Sequence, residues 1–146
     1  MRAPGTCGSF AALVFWWLLF DLEIVSSLAS QLGLIVITTV VGTVAVAVAL
    51  RYEQAEDPQW IVVDEWAGLF VALYGIEPGR IGQVFAAFIL FRIFDATKVG
   101  PVGWAERLPR QFGVMADDLV AGVLAALVVW VGEVSWVYLA GAGASW

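Results

Sequence analysis

LGLIVITTVVGTVAVAVAL, residues 32–50, holds no charged side chain, and only threonine and glycine interrupt its leucine, isoleucine, valine and alanine. An α-helix needs about 20 such residues to cross a hydrocarbon core ~30 Å thick. In water the same helix would have to be buried on every side. The rest of the chain does not offer that cover. It has 146 residues, 62% hydrophobic and 14% charged, with a mean hydropathy of +0.90, against about 45–50% apolar and about a quarter charged in an ordinary soluble domain. A single domain, residues 1–146, in a lipid environment accommodates this excess.

Outward from this run, polar, glycine and proline punctuation marks four more apolar segments: Phe10 to Phe20, Ile61 to Tyr74, Ile81 to Phe94, and Leu119 to Val131 with an extension past Glu133. All five read as helices. The expected fold is therefore all-α, a compact membrane-embedded bundle of about five short helices. The short ones reach only part-way, since ~14 residues at 1.5 Å each cover ~21 Å. The first run has Arg2 ahead of it like a signal peptide, but Asp21 and Glu23 precede the small residues Ser26 to Ser30, which is unlike a cleavage site, so retention is expected. The longest irregular piece, Thr97 to Gly113, contains Pro101 and Pro109; connections of this length are often functional.

Alternating helix directions bring Arg2, Arg51, Arg92, Lys98, Arg107 and Arg110 to one face and leave Arg80 on the other. The positive-inside bias makes the first face cytoplasmic. The same counting collects the acids there: Asp64 and Glu65 opening the third segment, Asp95 closing the fourth, Asp117 and Asp118 opening the fifth. Each pair alone is equally well read as first-turn acids offsetting the helix dipole in water. Their convergence beside Ile61, Val62 and Val63 favours a site, because ionisable groups among apolar helices are functional candidates. Clustered carboxylates repel one another, and a hard, oxygen-coordinated divalent cation would relieve that repulsion.

Other features keep two readings. Arg92, Asp95 and Lys98, three apart, serve equally as an ion-pair ladder or a phosphate clamp. Gly5-Thr6-Cys7-Gly8-Ser9 reads as a glycine turn with Ser9 as N-cap, or as a cradle whose free amides, Thr6 and Ser9 hold a phosphate. Gly68 and Gly122, one turn beyond Asp64 and Asp118, are expected at close helix contacts, and Cys7 as a small packing residue. The eight tryptophans point to interfacial anchoring. A net charge of −6 without a basic run excludes nucleic acid, a single cysteine excludes a disulfide, and the absence of histidine removes imidazole chemistry.

GTCGS at 5–9, DPQWIVVDEWAG at 57–68, FRIFDATK at 91–98 and FGVMADDLVAG at 112–122 together resemble the bacterial phosphatidylglycerophosphatase A family. The resemblance implies a Mg²⁺-dependent phosphatase that converts phosphatidylglycerophosphate to phosphatidylglycerol. It also implies a multi-pass protein of the bacterial inner membrane with its site facing the cytoplasm. Carried over by position, it marks Asp64 and Glu65, Asp95 and Lys98, and Asp117 and Asp118 as site residues, with Thr6 and Ser9 matching the GTxGS element. Departures lie at Lys98-Val99-Gly100-Pro101, where the family commonly has Lys-Pro-Trp-Pro, and at Arg110-Gln111-Phe112-Gly113, where it has a glycine-rich stretch. Family members also usually carry a stretch ahead of the GTxGS element, whereas this chain begins at Met1 almost upon it.

With no histidine, no arginine six residues beyond Cys7 and no DxD pair, metal-assisted attack by water is the phosphatase route that remains. In this reading Asp64, Glu65, Asp95, Asp117 and Asp118 hold one or two Mg²⁺ ions, a free member acts as base, and Lys98 and Arg92 steady the phosphoryl charge with Thr6 and Ser9. The alternative is a transporter or channel subunit, in which intramembrane carboxylates mark an ion or proton path.

Overall fold

A computed structural model describes residues 4–52, 62–109 and 111–143. The described residues are helical throughout apart from turns, in the order α1 (Pro4–Asp21), α2 (Leu28–Tyr52), α3 (Val63–Ala72), α4 (Ile81–Thr97), α5 (Pro101–Ala105) and α6 (Gln111–Gly143). The all-α bundle expected from the sequence is present, with six helices where five were read.

Three boundaries differ from expectation for local physical reasons. α1 starts six residues before Phe10, with Pro4 at its first position, where proline's fixed φ and missing N–H are harmless. GTCGS is thus helix rather than a turn, Ser9 is no N-cap, and Cys7 is exposed rather than packed. α6 begins at Gln111, so Asp117 and Asp118 lie inside it and its first turn carries no acid. The segment 97–113 is not irregular throughout: α4 stops where Lys98 turns left-handed at φ 51, Gly100 reverses the chain, and Pro101 starts α5. The Ile61 end of the third segment lies outside the described residues, and α3 is shorter than expected.

α2 begins with a reciprocal cap. The Ser30 amide donates to Ser27 Oγ and the Ser27 amide donates to Ser30 Oγ, each at 3.1 Å, which satisfies two otherwise free donors. At the same end, Gly75 N donates to the buried Gln31 Oε1 at 2.8 Å, and Arg80 pairs with Glu133.

α3 is the hub, packed against α1, α2, α4 and α6. Its buried face, with Leu69, Phe70 and Ala72, meets Ala12 and Trp16 of α1, Val84, Ala87 and Phe91 of α4, and Ala121 and Ala125 of α6. α4 buries Val84, Ala87 and Phe91 and turns Ile81, Phe85, Ile89 and Ile93 outward at four-residue spacing. α2 likewise exposes Val36, Ile37, Val40, Val41, Val44 and Val48. Stretches Leu28–Arg51 of α2 and Phe112–Ala140 of α6 are long and apolar enough to cross a bilayer, and α1 is a shorter apolar helix.

α3 and α6 cross in near backbone contact. A Cβ on Gly68 would stand 2.5 Å from the Asp118 carbonyl oxygen, and one on Gly122 would stand 2.2 Å from the Gly68 carbonyl oxygen. These glycines pack helices, as expected, and the obstructing atoms are backbone that cannot swing away. Gly33 of α2 faces open space. Gly122→Ala should therefore destabilise the protein by about 1–3 kcal/mol or more through overpacking. Gly33→Ala should be neutral or stabilising by up to ~1 kcal/mol through helix propensity. Thermal unfolding of both variants in one detergent checks the contrast.

Candidate active site

The close crossing sets Asp64, in the first turn of α3, beside Asp117 and Asp118 in the second turn of α6. All three carboxylates are buried. α1 reaches the same end through Ser9, which is fully buried and donates to Glu65 Oε2 at 2.9 Å. From α4, Arg92 Nη1 contacts Ser9 Oγ at 3.2 Å, Glu65 Oε1 at 3.4 Å and Asp95 Oδ2 at 2.7 Å. The C-cap residue Lys98 lies 3.7 Å from Asp95 Oδ1 and also hydrogen-bonds Asp117. A continuous polar line thus runs Ser9, Glu65, Arg92, Asp95, Lys98, Asp117, drawn from α1, α3, α4 and α6.

Local geometry explains the placement. Arg92, Asp95 and Lys98 share the last turns of α4, three residues apart, as expected. The left-handed backbone of Lys98 ends the helix there, an uncommon conformation for a residue with a side chain and one that recurs at functional sites. Asp64 Oδ1 and Asp117 Oδ1 each accept the next residue's amide at 2.9 Å. Asp118 Oδ1 is buried and has no hydrogen-bond partner among the described residues, a costly state for a carboxylate oxygen.

Electrostatics outside the two long apolar helices follow from this crowding. Burial, together with the charges of Glu65 and Asp117, pushes the Asp64 carboxyl up to about 7, against its hydrogen bond from the Glu65 amide. Burial also raises Glu65, while Ser9 and Arg92 pull it back. Burial opposes the charge on Lys98, yet the hydrogen bond and charge of Asp117, joined by Asp95 and Asp118, push it up to about 12. Lys98 therefore stays an ammonium ion.

Eight of the nine residues expected in the site converge at this end; Thr6 is an exposed first-turn residue of α1 with no polar contact to the line among the described residues. Glu106, just past α5, was not anticipated: its carboxylate lies 4.0 Å from Lys98 Nζ, and nothing in its spacing separates it from an ordinary loop acid. Among the described residues no three acids form a ready-made metal cage.

The chain resembles known proteins over most of its length. The phosphatidylglycerophosphatase A family profile matches residues 1–133. The chain belongs to the phosphatidylglycerophosphatase A family. A Bacteroides thetaiotaomicron protein, provisionally named a phosphatidylinositol-3-phosphatase, is 37% identical over 130 residues, covering 87% of this chain and 81% of that protein. Phosphatidylglycerophosphatase A of Escherichia coli is 34% identical over 134 residues, 87% of this chain and 72% of its own length. The Haemophilus influenzae protein of the same name is 33% identical over 134 residues, 87% and 77% respectively. No solved structure matches the chain. Membership makes the chain a phosphatase enzyme, and the ion-transport alternative loses its footing. Of the acids at the opposite end, Asp21, Glu23 and Glu77 are exposed in or beside turns and Glu133 pairs with Arg80, whereas the buried ones gather at the site.

The elevated carboxyl of Asp64 has a measurable consequence. The folded chain holds this proton more tightly than the unfolded chain, so the stability that this group contributes should be lost as pH rises from about 4, the unfolded value, to about 7. Asp64→Asn should make the fall across that range shallower and raise the melting temperature at pH 8. Melting curves from pH 4 to 8, in chelator so that only protons titrate the site, test both.

Proposed function

We propose that this chain is a Mg²⁺-dependent, multi-pass membrane phosphatase that hydrolyses phosphatidylglycerophosphate to phosphatidylglycerol and phosphate on the cytoplasmic side of the bacterial inner membrane. The observation that carries the reading is the line of alternating carboxylates and cations from Ser9 to Asp117, assembled at the same end as the opening of the apolar α6. A polar head group entering there meets fixed cations while its acyl chains stay among apolar side chains.

Asp64, Glu65, Asp95, Asp117 and Asp118 are the residues that would hold the metal. The donor set fits: every candidate ligand is a carboxylate oxygen, and the partnerless Asp118 Oδ1 lacks what a cation supplies. Mg²⁺ takes one or two carboxylates together with water and substrate phosphate rather than a full protein cage, which agrees with the absence of such a cage among the described residues. When bound, the ion supplies acidification of a water molecule and neutralisation of phosphoryl oxygens.

The chain's own groups do the remaining work. Arg92 and Lys98 bind phosphoryl oxygens and stabilise their charge as the ester bond lengthens. Both are now engaged by carboxylates, so phosphate exchanges one anionic partner for another at half-buried cations. Ser9, bonded to both Glu65 and Arg92, holds the α1 and α4 sides in register. A carboxylate not ligating metal takes the proton of the attacking water, the new P–O bond forms opposite the glycerol oxygen, and that oxygen leaves with a proton. The products are the lipid alcohol and inorganic phosphate.

The decisive assay is phosphate release from phosphatidylglycerophosphate by purified protein with Mg²⁺ and then with chelator. Asp95→Asn keeps the size of the side chain but removes the charge that faces both Arg92 and Lys98. Turnover should fall by about 10²-fold or more, the scale of losing one group that organises transition-state charge, with helicity retained. Folded Asp95→Asn turning over at the wild-type rate would remove this residue from the site. For topology, Arg107→Cys in a Cys7→Ser background should react with an impermeant maleimide only after cells are opened. Reaction in intact spheroplasts would reverse the orientation.

A further inference from the structure

Between the site's two ends on α4 and α6 lies a strap, residues 98–117, closed by the ion pair of Lys98 with Asp117. Its inner side is packed: Val102 and Ala105 of α5 are buried. Its outer side is not. Val99 is 60% exposed, Trp104 67%, Phe112 57% and Leu108 37%, and the charged neighbour Arg107 is exposed as well. Four large apolar side chains turned outward on so short a segment are not a feature of a surface that meets only water.

Three observations indicate what covers them. Phe112 is the first residue of the apolar stretch Phe112–Ala140, so the strap's last exposed aromatic side chain already belongs to that stretch. The outward stripe of α4, Phe85, Ile89 and Ile93, is uncovered apolar surface on the helix that ends where the strap begins. The strap also pairs an exposed tryptophan with an exposed arginine, and Arg51 ends α2 at the same end of the bundle. Tryptophan concentrates at the head-group level, and basic side chains there attract anionic lipid.

The geometry points to the outer face of the strap, Val99, Trp104, Leu108 and Phe112, as a membrane-interface surface that lies in the head-group layer of an anionic bilayer, with Arg107 against lipid phosphates. This inference rests on the membrane reading of α2 and α6. It adds that the catalytic end is not held out in the aqueous phase. Because the strap begins at Lys98 and ends at Asp117, the layer that contains lipid phosphates borders the site directly, and a substrate head group enters sideways rather than by being lifted from the membrane.

The test is a depth measurement in nanodiscs containing phosphatidylglycerol. A fluorophore is attached at Trp104→Cys, and separately at Val99→Cys, in a Cys7→Ser background; both positions are exposed, and circular dichroism verifies folding. A third reporter at Val40→Cys, on the outward face of α2, monitors the membrane reading itself. Spin-labelled lipids carry the quencher at the head group or deep in the acyl chain. Val40 should be quenched best by the deep label and the two strap positions best by the head-group label. A quenched Val40 with strap reporters that no lipid label quenches overturns the inference and leaves the membrane reading standing. In that case a blue-shifted emission would assign the face to a second protein surface, and an unshifted one to water. Strap reporters quenched best by the deep label overturn it too, and failure to quench all three sites defeats both readings.

Discussion

Backbone contact between α3 and α6 at Gly68 and Gly122 is the constraint on which the candidate site depends. A carbonyl oxygen of each helix occupies the space where the other's Cβ would stand, so the two axes approach as closely as peptide backbones allow. Asp64 lies one turn before Gly68, and Asp118 one turn before Gly122. Bringing the glycines together therefore brings the carboxylates together, and a bulkier pair would separate both at once. In lipid, where apolar side chains gain nothing by leaving their surroundings, close backbone packing is the available means of holding helices.

That proximity has an electrostatic cost. Asp64, Asp117 and Asp118 are buried within one crossing, and carboxylates so placed disfavour one another's ionisation. The structure relieves part of the strain from the α4 side. Arg92 satisfies Glu65 and Asp95, and Lys98 satisfies Asp95 and Asp117. Asp118 Oδ1 is left without a partner. Such an arrangement is poorly optimised as a structural ion-pair network, since an unpaired buried carboxylate oxygen weakens the fold. Under the proposed function, a bound cation would supply the positive charge that this crowding leaves unmet.

Much of the bundle's outer surface is apolar. α2, the outer stripe of α4 and the distal part of α6 turn valine, isoleucine, phenylalanine and tryptophan away from the core. The hydrophobic effect that would penalise this in water has no purchase where the solvent is hydrocarbon. Polar contacts sit mainly at the two ends: Gln31 with Gly75 and Arg80 with Glu133 at one, the polar line of the candidate site at the other. The first end is closed by simple pairs, whereas the second concentrates more charge than pairing neutralises.

Composition and patterning determined the all-helical, lipid-compatible character of the chain, because uncharged runs such as 32–50 have few stable alternatives and backbone groups in an apolar medium must bond within their own segment. The converging acids were also legible, since helix order alone assigns each segment's ends to a side. Motifs spread along the chain pointed to the family, and with it to a phosphatase, before any contact was known. Only the tertiary structure decided where the helices begin and how the site closes. Sequence periodicity stops at polar residues, yet α1 and α6 run through GTCGS and through Asp117–Asp118, because partners on other helices, Glu65 for Ser9 and Lys98 for Asp117, accept those polar groups inside the bundle. Ser9 thus became an internal link rather than a cap, Thr6 fell away from the line, and Glu106 joined it. Such contacts connect residues 8 to 83 positions apart along the chain: Lys98 faces Glu106 and Asp117, while Arg92 faces Ser9. The sequence marked Gly68 and Gly122 as close-contact positions, but only the folded chain decided that they meet each other and so bring Asp64 beside Asp117 and Asp118. Which helices pair depends on the distance between their axes, which no single segment's periodicity carries.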